Sequence, residues 1–260
     1  MGLFNFFKKK EQVAAKNQNK VLIAMPMYNS GDTFDFYKTI DCLKNTWKCE
    51  VADINEEKFF NIDGELVAVM VMPHEIPGDE IKATAQYAYN WPTAEEDLQN
   101  HNTHLIVTVM SGKGSDYERF KILTKVLASI LETSNCIGVY QGKQSLLTPK
   151  EQYLEIAEAL KIDKVPIDIW IYLGIRNSDQ GVSIYTYGLQ SFGKLEMEII
   201  NSKVEIEEIH SFLSNICAYV IDSDVTFRNG ETLGYAANQK VKLTISKGVF
   251  VDGETIKIAL

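Results

Sequence analysis

Two histidines, His101 and His104, stand three residues apart just before an apolar stretch that predicts a strand. Imidazoles at this spacing could share a zinc ion, but a zinc site needs at least a third protein ligand. Nothing nearby supplies an obvious one, since His74 and Glu75 lie in a different loop. We therefore expect structural or solvent-exposed histidines and no metal site.

A glycine-rich turn from Ser111 to Ser115 lies between a predicted strand and the start of a predicted helix. Backbone N–H groups and the helix dipole at such a turn can hold a phosphate or a carboxylate. The spacing is not that of a P-loop, and Tyr117 replaces the last glycine of a dinucleotide-binding fingerprint. The alternative interpretation is a simple turn that ends in a capping serine. The candidate anion-binding residues are Gly112, Lys113, Gly114 and Ser115.

Glu196 and Glu198 alternate with apolar residues on a strand predicted over residues 195–199, so their side chains point the same way. Paired carboxylates can split their pKa values and act as general acid and general base. On an alternating strand the simpler interpretation is an outer face in water, and this is what we expect. We assign no catalytic residue.

A predicted hairpin carries most of the candidate binding residues. Its strands cover residues 167–175 and 182–187, joined by a loop of about five residues. If odd-numbered positions pair with even-numbered ones, four aromatic side chains share a sheet face and could form a stacking platform; otherwise they form a layer under a helix. A tight glycine-bounded loop follows at residues 188–193. The candidate ligand- or partner-binding residues are Trp170, Tyr172, Tyr185, Tyr187, Gln190, Phe192 and Lys194.

Nucleophilic catalysis finds little support in the sequence. Only four histidines occur, and no Ser/His/Asp or Cys/His arrangement stands out. The four cysteines form no CxxC pair, which favours small buried apolar residues in a reducing compartment. We expect no cofactor. The residues favour a protein without catalytic activity, although they do not exclude an enzyme.

Short apolar strands alternate with amphipathic helices through the first half of the chain. Residues 21–110 follow the order strand, helix, strand, strand, helix, strand, which is the split βαβ pattern of ferredoxin-like sandwiches. Its second helix is predicted at residues 79–89. Residues 66–72 are apolar throughout, which predicts a central strand covered on both faces. A further helix from Asp116 and a strand ending at Tyr140 extend the unit, so the predicted fold class is α+β, a layered α/β sandwich with a mixed sheet.

The pattern divides the chain into three segments. Residues 1–19 predict a flexible tail, residues 20–145 the ferredoxin-like half, and residues 146–260 a second α+β half. A linker at residues 141–147 joins the halves, and a helix starts after it near Pro149. The pattern leaves open whether the two halves pack as one body.

The composition bounds the class of protein. Its 260 residues carry a net charge of −9, which opposes binding to nucleic acid through a basic surface. No secretory signal opens the chain, and no apolar run approaches the roughly 20 residues that span a bilayer. We expect a cytoplasmic protein without stable membrane insertion, of undetermined oligomeric state. At the N-terminus, three phenylalanines beside three lysines could dock on an anionic membrane surface or form a mobile tail.

The last third of the chain resembles a known bacterial family. The likeness lies in residues 185–199 and 230–235 and in residues 240–249, which combine glycine spacing with aromatic positions. These stretches are similar to the family described as domain of unknown function 4261, over residues 181–260. Residues 24–27 and the opening of the chain are similar to its longer members. The resemblance implies no activity and carries over no catalytic residue.

These observations favour a soluble bacterial protein that binds a protein partner or a small ligand and does no chemistry. By analogy it is of the immunity or accessory type. The alternative is an enzyme that acts on a small anionic or phosphate-bearing substrate at the turn from Ser111 to Ser115. Stabilisation by phosphates that Lys113→Ala abolishes would favour the enzyme.

Overall fold

Two sheets and the helices packed on them make up the part of the chain that the structure describes. The computed structural model describes residues 21–29, 34–110, 112–236 and 238–260. The predicted tail at residues 1–19, with its Phe/Lys stretch, and Ser111 lie outside the described residues. The strands are β1 (Leu22–Asn29), β2 (Val51–Ala52), β3 (Phe59–Ile62), β4 (Glu65–Met72), β5 (His101–Val109), β6 (Gly138–Gln141), β7 (Leu146–Pro149), β8 (Tyr172–Ser178), β9 (Gly181–Tyr187), β10 (Met197–Ser202), β11 (Thr232–Ala236), β12 (Gln239–Lys247) and β13 (Glu254–Ile258). The helices are α1 (Phe36–Asn45), α2 (Glu80–Ala85), α3 (Ala94–Leu98), α4 (Asp116–Thr133), α5 (Lys150–Ala157) and α6 (Ile206–Asp222).

The first sheet is antiparallel, in the order β2-β3-β4-β5-β1-β6-β7. β1 lies between β5 and β6 and runs opposite to both, so that Met27 faces His104 on one side and Gly138 on the other. β5, α4 and β6 therefore form a crossover unit around β1. Together with β1, α1 and β4 they complete the split βαβ arrangement. The predicted α+β sandwich is confirmed.

Two features of the first half differ from expectation. The second helix of the unit is α4, because the segment predicted as a helix at residues 79–89 forms only the short α2, which buries Ile81 alone. β4 is covered on one face only, since Val67 and Val69 are buried whereas Leu66 and Met70 are exposed. A continuous apolar run therefore did not distinguish a strand buried on both faces from one with an apolar face in water.

The second sheet is mixed, in the order β11-β12-β13-β10-β9-β8, and β10 and β13 form its parallel pair. The hairpin β8–β9 turns directly between Ser178 and Gly181, which is tighter than the predicted five-residue loop. Its first strand begins at Tyr172, because Ile167–Ile169 forms a 3₁₀ turn instead of a strand. This turn buries its isoleucines as a strand would, so the alternating pattern could not tell the two apart.

One cluster of buried apolar side chains contains residues of both sheets. α4 contacts β1, β5 and the Leu189–Phe192 turn of the second half. Trp170 is fully buried, and its Nε1 donates a hydrogen bond to Thr124 Oγ1 of α4 at 2.8 Å. The rings of Phe120 and Phe192 lie 4.4 Å apart. These contacts place the end of the hairpin against the first half of the chain.

The segment predicted as a linker contains a strand. β7 pairs with β6, with Leu147 opposite Tyr140. The first sheet therefore ends at Pro149, a few residues beyond the boundary expected at residue 145. α5 follows at once and leads to the second sheet.

Among the described residues the two longest helices are α4, with 18 residues, and α6, with 17. Both carry acidic side chains in their first turns. In the described part of the chain, no helix combines the length and the apolar character that crossing a bilayer requires.

Candidate functional site

The outer face of the second sheet, away from the common core, carries a row of aromatic rings. Tyr172 lies opposite Tyr187, and Tyr185 lies two positions along, so the three tyrosines share this face. Ring centroids are 6.4 Å apart for Tyr89 and Tyr172, and 6.3 Å apart for Tyr172 and Tyr185. Phe250 stacks on Tyr185 at 5.2 Å. We call Tyr89, Tyr172, Tyr185 and Phe250 the aromatic ladder.

Gly174 makes room for the ladder. The Tyr185 ring lies across this glycine, where a Cβ atom would overlap it. Tyr172 and Tyr185 are only 9 % and 8 % exposed. Burial raises the pKa of Tyr172 to about 12, so its phenol stays protonated. The centre of the ladder is thus largely covered; at its ends Tyr89 is exposed and Phe250 is half-buried.

Glu196 is buried, so the expectation of an outer face in water is wrong for this residue. Its Oε1 accepts the N–H groups of Gly188 at 2.9 Å and Gln190 at 3.2 Å. Its Oε2 accepts the hydroxyl of Thr186 at 2.7 Å. Both carboxylate oxygens are therefore used to hold the start of the Leu189–Phe192 turn.

Glu198 is fully buried as well, and it binds a different loop. Its Oε1 accepts the N–H groups of Val249 at 3.0 Å and Phe250 at 2.7 Å. Its Oε2 accepts the Thr255 hydroxyl at 2.9 Å and lies 2.8 Å from the Lys257 ammonium. Burial alone would raise the pKa of Glu198, but the Lys257 ammonium and the other donors outweigh burial and lower this pKa. The charged carboxylate anchors the loop that follows β12.

The two anchored loops enclose a cleft of about 710 Å³. Residues 188–191 form one wall, and residues 247–252 form the other. Lys143, from the turn after β6, lines the cleft from the first half of the chain. Loop residues of the second sheet and one residue of the first half therefore meet at this cleft.

Two of the sequence-predicted contacts, Tyr187 and Gln190, line the cleft and are exposed. Trp170 and Phe192 lie in the common core, where their rings stack at 5.7 Å. The Lys194 ammonium forms an ion pair of 2.6 Å outside the cleft. The register pairs even-numbered positions of β8 with odd-numbered positions of β9, as a shared aromatic face requires. Because Trp170 precedes β8, three of the four aromatic residues lie on this face.

Lys143 and Lys247 give the cleft two ammonium groups. Neither pairs with a carboxylate within the described part of the chain. Asp252 also lines the cleft, and Glu196 lines it with both oxygens already bound by protein donors. The lining thus carries two lysines and two acidic residues, but Glu196 is buried beneath donors of the protein itself, so the exposed charges are the two ammonium groups and Asp252.

The glycine-rich turn holds a carboxylate of the protein itself. The Gly114 N–H donates to Glu65 Oε1 at 2.7 Å, and Glu65 Oε2 lies 3.8 Å from Nε of Arg119. A Cβ atom at Gly112 would overlap the Glu65 carboxylate. Glu65 is 2 % exposed. The anion that this turn binds is thus the carboxylate of Glu65, a residue of the protein itself.

Ser115 and Lys113 complete the predicted anion-binding group. The Ser115 hydroxyl accepts the Glu118 N–H at 3.2 Å and so caps α4. Lys113 is exposed. Because Glu65 already occupies the Gly114 amide, an external anion would have to displace it.

His101 and His104 hold the loop that precedes α2. His101 Nδ1 donates to the Leu98 carbonyl at 2.6 Å, and its Nε2 accepts the Ile76 N–H at 3.1 Å, so both nitrogens are in use. His104 Nδ1 donates to the His74 carbonyl at 2.9 Å, and burial lowers the pKa of His104. The residues that the structure describes contain no group of three His, Cys, Asp or Glu side chains that could hold a metal ion.

Sequence reasoning did not single out the loop at residues 248–252. Gly248 is needed there because a Cβ atom would overlap the carbonyl oxygen of Val251. A glycine directly after a predicted strand, within a stretch shared with a family, was the available signal. Lys143 carried no such signal, since only tertiary packing brings it to the cleft.

Comparison with known proteins gives a family match for part of the chain. Residues 185–259 match the sequence model of a family described as Domain of unknown function (DUF4261), which confirms the resemblance seen in the sequence. The match includes Glu196 and Glu198 and both loops that enclose the cleft. No curated protein and no solved structure matches the chain.

Proposed function

We propose that this chain, whose residues 185–259 match a family of unknown function, binds a small anionic ligand in the cleft and performs no chemistry on it. The observation that carries the proposal is the pair of ammonium groups, of Lys143 and Lys247, that line one cleft without carboxylate partners in the described part of the chain. Carboxylates and phosphates complement such a pair, because charge-assisted hydrogen bonds are the strong ones.

The size and lining of the cleft support a small ligand. A volume of about 710 Å³ falls within the range of roughly 300–1,000 Å³ that is usual for small-molecule sites. Tyr187 and Phe250 offer aromatic surface, and Gln190 offers an amide that can donate or accept. An anion with a planar or apolar part would use both kinds of contact.

Binding without turnover is favoured by how the carboxylates are used. Both oxygens of Glu196 accept hydrogen bonds from the protein, and Glu198 is paired with Lys257. A general base needs a lone pair within reach of the substrate proton. Asp252 is the remaining carboxylate of the cleft, and the described lining adds no histidine or cysteine that could act with it as a second catalytic group.

A cytoplasmic binding role fits these features. All four cysteines are buried, as is usual for cysteine in a reducing compartment. An immunity or accessory role, which the sequence suggests by analogy, would need recognition but no reaction. It therefore falls within this proposal.

Thermal unfolding tests the proposal. The full chain is scanned with inorganic phosphate, citrate and nucleotides, each added separately. A ligand at one hundred times its Kd should add about 2.7 kcal/mol of stability by mass action. The double variant Lys143→Ala/Lys247→Ala should lose this stabilisation while its melting temperature without ligand stays near that of the wild type, because both side chains are exposed.

Lys242→Ala is the matched control, since Lys242 is an exposed lysine on the same strand as Lys247 but outside the cleft. It should respond to the anions as the wild type does. Equal stabilisation of the wild type and the double variant would contradict the proposal. So would loss of the response in Lys113→Ala, which would point to the glycine-rich turn.

A further inference from the structure

β8 is an edge strand of the second sheet, and among the described residues it pairs only with β9. The tight turn makes Ser178 and Gly181 the closing bonded pair of the hairpin, so every second residue of β8 directs its N–H and C=O towards β9. The residues between them direct these groups away from β9; Leu173 is buried there, so Ile175 and Asn177 carry the accessible groups of the free edge. Such an edge is a template for a further strand.

A groove of about 580 Å³ lies beside this edge. Ile175 and Arg176 of β8 line one side, and residues 85–92, between α2 and α3, line the other. Tyr87 and Tyr89 in that segment are 50 % and 51 % exposed. The groove therefore combines an unpaired backbone edge with exposed tyrosines, a residue type that is enriched in protein interfaces.

Arg176 is the cation of the groove. Its guanidinium carbon lies 5.3 Å from the Tyr87 ring and 5.7 Å from the Tyr185 ring, and Nη2 donates to the Tyr185 hydroxyl at 3.3 Å. Nη1 donates to the Ile175 carbonyl at 3.1 Å, and that oxygen keeps a second lone pair. These contacts hold the guanidinium in place.

Arg176 pairs with no carboxylate in the part of the chain that the structure describes, although the chain carries 35 acidic residues. The other charged residue that lines the groove, Glu95, lies 3.5 Å from the Lys82 ammonium. A positioned guanidinium without a carboxylate is complementary to a carboxylate of an incoming chain.

We propose that an extended acidic segment of a partner protein binds in this groove and adds to the second sheet as a strand beside β8. Its backbone pairs with the outward groups of β8, a carboxylate binds Arg176, and its apolar side chains lie on Tyr87 and Tyr89. The proposal goes beyond the small-anion cleft, because the groove and the cleft are lined by different residues.

A phage-displayed library of random linear peptides, selected on the full chain, tests the proposal. We expect the selected peptides to be enriched in aspartate and glutamate. The synthetic form of a selected peptide should slow amide hydrogen exchange at Ile175 and Asn177, whose N–H groups face the free edge. Docking through side chains alone would leave these two amides unchanged.

Two variants separate the contribution of the Arg176 charge from that of the outward backbone N–H groups. Arg176→Glu should weaken binding of the selected peptide by at least roughly tenfold, because it replaces an attraction by a repulsion. Arg228→Glu makes the same charge change at an exposed arginine outside the groove and should leave binding unchanged. Asn177→Pro removes one outward N–H without removing a bond to β9, so it should weaken binding while the chain still unfolds cooperatively.

The proposal is overturned if the selected peptides show no acidic enrichment, or if they bind Arg176→Glu as tightly as the wild type. Unchanged hydrogen exchange at the amides of Ile175 and Asn177 would also overturn it. Binding should persist in Lys143→Ala/Lys247→Ala, so that failure here is distinguishable from failure of the cleft proposal.

Discussion

The N–H of Phe250 donates to the carboxylate of Glu198 at 2.7 Å and so ties the loop after β12 to the strand beside it. Two positions earlier in the chain, Glu196 ties the Leu189–Phe192 turn in the same manner. Two carboxylates separated by one residue thus shape both walls of one cleft. Because each accepts backbone N–H groups, the walls are held by these two buried carboxylates and do not depend on exposed lining side chains such as Tyr187 and Gln190.

Glu198→Gln should destabilise the fold by about 2 to 4 kcal/mol, because it leaves the Lys257 ammonium without its buried carboxylate. Urea unfolding measures the loss. Amide exchange at Val249 and Phe250 should also become faster, since their acceptor is weakened. Glu254→Gln, at an exposed site on β13, is the control and should stay within about 0.5 kcal/mol of the wild type.

The stability that Glu198 contributes should depend on pH. Its pKa in the folded protein lies below the ordinary value of 4.5, so its charged form is favoured by folding. The contribution is complete above 4.5 and is lost as the pH falls through the lowered folded pKa. The difference in unfolding free energy between the wild type and Glu198→Gln should therefore shrink as the pH is lowered below 4.5. A difference that stays constant into the acid range would contradict this account of the ion pair.

Gly174→Ala should disturb the aromatic ladder, because a Cβ atom at this position overlaps the Tyr185 ring. We expect a loss of about 1 to 3 kcal/mol in thermal or urea unfolding, as for overpacking in a core. Gly234→Ala is the matched control, since a Cβ atom there meets nothing within 4 Å. If the two variants were equally stable, the ring would not lie across Gly174 in solution.

Glu65→Ala should convert the glycine-rich turn into an open anion site. The variant loses the carboxylate that faces the Gly114 amide and Arg119, and we expect destabilisation by about 3 kcal/mol. Acetate or formate should restore part of the melting temperature, while chloride at the same ionic strength should not. Identical melting curves in acetate and chloride would show that the turn has no intrinsic affinity for a carboxylate.

Much of the fold was predictable from hydrophobic periodicity. The alternation of short apolar strands with amphipathic helices indicated the split βαβ unit, and α4 follows its predicted bounds. The elements that were misassigned share a physical cause. Residues 66–72 are apolar throughout, and residues 167–175 alternate apolar with other side chains. A strand with one face in water can carry the first pattern, and a 3₁₀ turn can bury the isoleucines of the second, so neither pattern fixed the structure.

The site was only partly predictable, because its polar contacts are made across the chain. The sequence identifies Glu196 and Glu198 as a pair on an alternating strand, and such a pattern predicts an outer face in water. Their burial could be predicted only if the hydrogen-bond donors to each carboxylate were known. Four of those donors are backbone N–H groups of two loops, which carry no side-chain signal, and the others are the side chains of Thr186, Thr255 and Lys257. Tyr187 and Gln190 were identified because they lie next to a glycine-bounded loop, whereas Lys143 reaches the cleft only through tertiary packing.

Amide chemical-shift mapping tests the central claim, that the cleft between the two anchored loops is the binding site. The full chain is titrated with the anion that gives the largest thermal stabilisation. The account predicts that the largest shifts fall on Gly188, Gln190 and Gly248, which line the two walls. Shifts confined to Gly112 and Gly114, with the cleft amides unmoved, would contradict it.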